Sequence, residues 1–202
     1  MKHLLGIDIG AAGCIAVLDM HLSLVELIDM PTLALPRTRK GGKTGATHVV
    51  DGATLAARLA PYAGPDTVAA VESESSRPGN GAASMFAFGA SDGAVRAVLA
   101  CLGIGARSIT PAAWKHAHGI PTGADKHFSR ARAIRLYPSH AASFGLAKHD
   151  GRAEAVLIAL AVAQEIPALA LDLGTVQPGV IARHLRAAVG QVQHAEPVTS
   201  AC

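Results

Sequence analysis

The sequence predicts an α/β fold built on a mixed five-stranded sheet, its first three strands an antiparallel meander, with helices on both faces. Three observations lead there. Short apolar runs at 4–9, 14–18 and 24–30 succeed one another with only tight turns between them. Two further runs, 67–71 and 106–109, each follow a segment of helical length and period, as parallel strands reached by crossovers do. The Ala-rich stretch KHDGRAEAVLIALA is long enough for a last core helix over about 149–164.

Taken in order, LLGIDIG gives the first strand, 10–13 the turn and CIAVL the strand that returns beside it. The third strand ends at Pro31, and PRTRKGGKTGATH then reads as a mobile, basic, Gly-rich loop. Asp51 caps a helix whose apolar face carries Leu55, Leu59 and Tyr62, and Gly64-Pro65 ends it. A helix over 85–102 turns Val95, Val98, Leu99 and Leu102 to one side. Pro111 opens a short helix through Trp114 and Lys115, and another over 125–136 stops before Pro138. Residues 1–166 are expected to form one domain, and 167–202 an appendage with a disordered end.

Composition narrows the classes. Half the 202 residues are hydrophobic and only 3% aromatic, which implies a core of small aliphatic side chains. A net charge of +3 permits a polyanionic partner without requiring one. Cys14, Cys101 and Cys202 lack the close spacing of a zinc site, so reduced thiols in a cytoplasmic protein are expected. The apolar opening is broken by Asp8 too early for a signal peptide, and no run approaches a membrane span.

Asp8 is the most informative residue. A carboxylate within a buried strand costs several kcal/mol unless it is paired, protonated or bound to a metal. Glu72 closes a second apolar run, TVAAVES, and Asp150 and Glu154 lie one turn apart on the last helix. Four acids on three elements point to a divalent-metal site.

The ordered set GIDIG, VES ahead of SMFAFGASDGAVRAVLACLGI, ITPAAWK, DKHFSRARAIRLYP and KHDGRAEAVLIALA spans about 4–163. It resembles the RuvC-like Holliday-junction resolvases, especially the phage and prophage branch of these crossover junction endodeoxyribonucleases. The resemblance implies a ribonuclease H-like fold in which the first and fourth strands lie side by side beneath the last helix. It implies hydrolysis of phosphodiesters in branched DNA, in recombination and repair, with two Mg²⁺ ions (Mn²⁺ as substitute) about 4 Å apart. Asp8 would bridge both ions, Glu72 would hold one, and Asp150 with Glu154 the other. Bacterial RuvC proteins space the last pair i, i+3 where this chain has i, i+4, so Asp150 would bind directly or through water. Lys115, Lys126, Arg130 and Arg132 would lie near phosphates, and a homodimer would cut the two-fold-symmetric junction, with the region of Met85, Phe86 and Phe88 as the dimer surface.

Each assignment has a plainer counterpart. Asp8 can pair with a Lys, Glu74 can replace Glu72, Asp150 can be a helix cap, and His149 can be an exposed helix-start residue rather than a ligand. Lys and Arg on helices can be merely solvated. Phe86 and Phe88 can stack on an unpaired base or pack in the core. The loop carrying Arg37, Arg39, Lys40 and Lys43 can contact phosphates or simply aid solubility. GIDIGAAG also resembles the first phosphate loop of sugar-kinase and actin-like ATPases, but such chains need a second Gly-rich loop and are usually much longer. A catalytically inactive DNA-binding relative is disfavoured by the presence of all four acids.

Overall fold

The computed structural model describes residues 1–38, 42, 44–73, 81–121 and 123–165; Arg39, Lys40, Lys43, Glu74 and the expected appendage over 167–202 lie outside them. Strands β1 (His3–Asp8), β2 (Cys14–Asp19) and β3 (Leu24–Asp29) form the antiparallel meander. After a two-stranded ribbon, β4 (Thr32–Thr38) and β5 (Thr44–Val50), come α1 (Gly52–Leu59), β6 (Thr67–Glu72), α2 (Ala82–Cys101) and β7 (Gly105–Ile109). Helices α3 (Pro111–Ala117), α4 (His127–Leu136) and α5 (Asp150–Ala163) follow. The sheet order is β3-β2-β1-β6-β7, with β6 parallel to β1 and β7 parallel to β6, so the expected mixed five-stranded sheet is present.

Alternation along β1 sends neighbouring side chains to opposite faces. Leu5, Ile7 and Ile9 join Val17, Ile28, Val71, Leu55 and Leu59 of α1, and Val95 and Leu99 of α2 in one core layer. On the other face Cys14 and Ala16 pack with Ala133 of α4, Phe144, and Ala153, Ala155 and Val156 of α5. Asp51 caps α1 as expected, its Oδ1 accepting from Ala53 N at 3.1 Å and Thr54 N at 3.2 Å. Helix α5 is buried on nearly every side, as suits a helix lying across a sheet beneath a second helix layer. Gly6 allows that approach. A Cβ there would overlap the carbonyl oxygen of Ala155 and lie 2.7 Å from Ala159 N and 2.8 Å from its Cβ, so strand and helix meet backbone to backbone.

The stretch expected as a loop is corrected by the ribbon: Thr32 pairs with Val50 and Thr38 with Thr44. Leu33, Leu35, Thr47 and Val49 alternate with period two, a strand signal hidden by the Gly and Lys residues of the tip. Pro36 is tolerated because either strand of a two-stranded ribbon keeps an open edge, where a missing N–H need not break a ladder bond. Among the described residues no helix is long and apolar enough to cross a membrane.

The Gly6 contact makes a direct prediction. Gly6→Ala is expected to lower unfolding free energy by about 3 kcal/mol, because two backbones must separate. Gly105→Ala in β7, where no atom lies within 4 Å of a new Cβ, is expected to stay within about 0.5 kcal/mol of wild type. Denaturant titrations of both variants check this, and equal stabilities would show that α5 shifts without cost.

Candidate active site

Strands β1 and β6 are parallel neighbours in a register that pairs Ile7 with Val71, so Asp8 and Glu72 end their strands side by side. The first turns of α5 pass over the same edge. A cleft of about 290 Å³ is lined there by Asp8, Glu72, Asp150 and Glu154, with Phe88, Lys126 and Lys148 among the others. Gly151 makes the fit possible. A Cβ on it would lie 2.9 Å from Gly13 Cα and 3.0 Å from Asp8 Oδ2, so only glycine lets α5 start against the β1–β2 turn.

Asp8 carries the electrostatic signature of the cleft. Burial first, then the charges of Glu72 and Glu154, push its carboxyl from the ordinary 3.8 up to about 7, while Lys126 and the Gly10 backbone pull the other way. Glu154 is buried, with Lys126 Nζ 3.9 Å from its Oε2. Asp150 accepts a hydrogen bond from Arg130 Nη1. Glu72 Oε1 accepts one from the indole Nε1–H of Trp114 at 2.7 Å. The four acids therefore share one cleft while several are turned toward donors on α3 and α4 or the turn just before α4. Among the described residues, no three His, Cys, Asp or Glu side chains already form a ligand set for one ion.

The other expected residues divide. Lys126 and Arg130 stand at the cleft but on carboxylates. Lys115 holds its Nζ 5.1 Å from the centroid of the Trp114 ring. Arg132 is buried and its Nε has no hydrogen-bond partner, so it does not lie on the solvated face of α4 where a phosphate contact was expected. Phe86 is 80% exposed on α2, whereas Phe88 lines the cleft and packs against the core. Arg37 falls on β4 of the ribbon. Asp150 lies in the first turn of α5 and does not cap it, the cap position being His149. His149 is buried rather than exposed, and it lines a neighbouring cavity with Asp29, Lys148 and Arg152.

Sequence reasoning did not reach the Trp114–Glu72 bond, the pairing of α4 cations with α5 acids, or Lys148 at the cleft. Gly151 did carry a readable signal. A glycine at the second position of an otherwise strong helix weakens it and so marks a close approach.

The Asp8 shift sets a pH dependence. An acid whose folded pKa lies above its unfolded value destabilises the folded state as it ionises, here increasingly from pH 3.8 to about 7 and fully above that. Asp8→Asn in chelator is therefore expected to be more stable than wild type at pH 8 by on the order of 2–4 kcal/mol, the gain vanishing toward pH 4. Denaturant titration at both pH values checks the sign. Equal stability at pH 8 would mean that the neighbouring cations fully compensate the buried charge.

The fold resembles solved RuvC structures. A T. thermophilus RuvC in complex with Holliday junction substrate aligns with a TM-score of 0.50 at 16% identity, over 87% of this chain and 98% of that one. A second Thermus thermophilus RuvC structure gives 0.43 at 18% identity, over 86% of this chain and 98% of that one. No protein-family model and no curated protein matches the sequence. The first alignment and the sheet order β3-β2-β1-β6-β7 agree, and the chain has a RuvC-like, ribonuclease H-like fold.

Proposed function

We propose that the protein is a metal-dependent endonuclease that hydrolyses phosphodiesters in branched DNA, four-way junctions above all. The observation that carries this reading is the gathering of Asp8, Glu72, Asp150 and Glu154 in one cleft, where burial first, and then the charges of Glu72 and Glu154, push Asp8 up to about 7. A half-buried acidic cluster offering only oxygen donors suits a hard divalent cation, Mg²⁺ or Mn²⁺. The substrate class comes from the similar fold of a RuvC seen with Holliday junction substrate.

On this reading Asp8, Glu72, Asp150 and Glu154 would hold two divalent ions, which when bound would supply activation of a water nucleophile and stabilisation of the leaving oxygen. The chain's own groups do the rest. Asp8, whose carboxyl is pushed up by burial first and then by the charges of Glu72 and Glu154, would lose its proton on holding a cation. Lys126 and Arg130, which pair with Glu154 and Asp150, would be available to meet DNA phosphates if those acids held a cation. Exposed Phe86 offers a ring to a base unstacked at the junction. Arg37, Arg39, Lys40 and Lys43 would contribute phosphate contacts. Among the described residues the chain has one such cleft, and a four-way junction has approximate two-fold symmetry, so paired incision calls for a homodimer with self-complementary contacts.

Cleavage of a synthetic four-way junction, beside a linear duplex and an ATPase assay, tests the reading. Mg²⁺-dependent cutting confined to the junction is expected. Asp8→Asn should reduce it by about 100-fold or more while junction binding in Ca²⁺ persists. ATP hydrolysis without DNA cleavage, or a variant that cuts normally, would overturn it. Sedimentation at micromolar concentration should show a dimer with junction bound; a monomer that still makes paired cuts would rule out the two-subunit arrangement.

A further inference from the structure

We infer that Trp114 is a positioning residue for Glu72: its buried N–H fixes the orientation of that carboxylate at the cleft, and the affinity for divalent cation depends on it. This inference rests on the metal-dependent reading above. Trp114 is the chain's one tryptophan and is fully buried. Its indole Nε1–H can only donate, and a buried indole N–H needs an acceptor. The acceptor here is Glu72 Oε1 at 2.7 Å, on a different element 42 residues away, rather than a nearby carbonyl. A donor aimed at a carboxylate makes a charge-assisted bond that favours the ionised acid, holds its rotamer and occupies one oxygen in a fixed direction.

The surroundings of Trp114 are built to hold it still. Thr110 Oγ1 accepts from Ala113 N at 3.3 Å and Pro111 begins α3, which together set the direction of this one short helix. Its far end is fastened to α5 by His118, whose Nε2–H donates to the Leu157 carbonyl at 2.7 Å. Burial pushes His118 down to about 4, so the ring stays neutral at ordinary pH and keeps that bond. Lys115 places its ammonium 5.1 Å from the indole centroid. A cation against an aromatic ring draws electron density from it and strengthens the N–H as a donor. Lys115, expected beside a phosphate, thus acts through Trp114 on Glu72. The chain from α5 through His118 and Trp114 reaches one acid from the helix that bears two others.

The test uses the full chain and three measurements. Trp114→Phe keeps an aromatic ring at the site and removes only the donor. Calorimetric titration with Mn²⁺ is expected to show about 10-fold weaker binding in this variant, with wild-type circular dichroism. In wild type, Trp114 emission is expected to change saturably with Mg²⁺, at the midpoint that calorimetry gives for Mg²⁺, and Glu72→Gln is expected to abolish the change. A purely structural role would lower the melting temperature of Trp114→Phe in chelator and leave its Mn²⁺ affinity at the wild-type value; that result would overturn the inference. Should Trp114→Phe fail to fold, the wild-type emission titration decides alone: Mg²⁺ binding by calorimetry with silent emission refutes the positioning role and leaves the metal reading intact. Wild type that binds neither ion by calorimetry refutes the metal reading, and this inference with it.

Discussion

Two parallel strands that end together at the edge of a sheet deliver their last side chains to one spot, and here both of those side chains are acids. Asp8 and Glu72 are set by the β1–β6 register, and α5 adds Glu154 from above, so folding itself gathers like charge in one half-buried cleft. Burial first, and then the charges of Glu72 and Glu154, push Asp8 up to about 7. Much of the neighbouring structure reads as a response to it. Lys126 and Arg130 on and just before α4 face acids of α5, Trp114 donates to Glu72, and the Gly10 backbone supports Asp8.

These partners are cations and N–H donors that the chain supplies itself, so the acids fold among compensating groups. Ion pairs of this partly exposed kind contribute modestly to stability. Their interest lies in exchange. A group that pairs with a carboxylate in one state can meet another anion in a second, and Lys126 and Arg130 are paired with the two acids of α5.

Much of this was legible in the residues. The interrupted apolar strand made Asp8 an anomaly before any fold was known, and the meander, the two later strands, the Asp51 cap of α1 and the Pro111 start of α3 followed from turn chemistry and periodicity. Misreadings occurred where composition hid pattern. In 36–48 the Gly and Lys content masked the alternation of β4 and β5, and on α4 the charge of Arg132 suggested a solvated face although the side chain is buried. Pairings such as Trp114 with Glu72 join residues far apart in the chain, and no local rule can foresee them. Glycines were the underused signal, since Gly6 and Gly151 each mark a place where α5 touches β1 or its turn without a side chain between.

The contact at Gly6 gives α5 a pivot. Ala155, the residue that meets it, lies five positions from Asp150, or about 7.5 Å along the axis at about 1.5 Å per residue. A tilt of about 10° about that point would swing the start of α5 by about 1.3 Å, by the same helix dimensions, which is large beside the tolerance of a coordination shell. Backbone against backbone leaves no flexible side chain to absorb such a tilt, so the pivot is stiff. Lengthening or shortening α5 on the far side of Ala155 would leave the acids where they are, whereas a small tilt at the pivot would move Asp150, at the start of α5, relative to Asp8 and Glu72 on the strands. The geometry of the cleft is thus governed by a residue that has no side chain and does not line it.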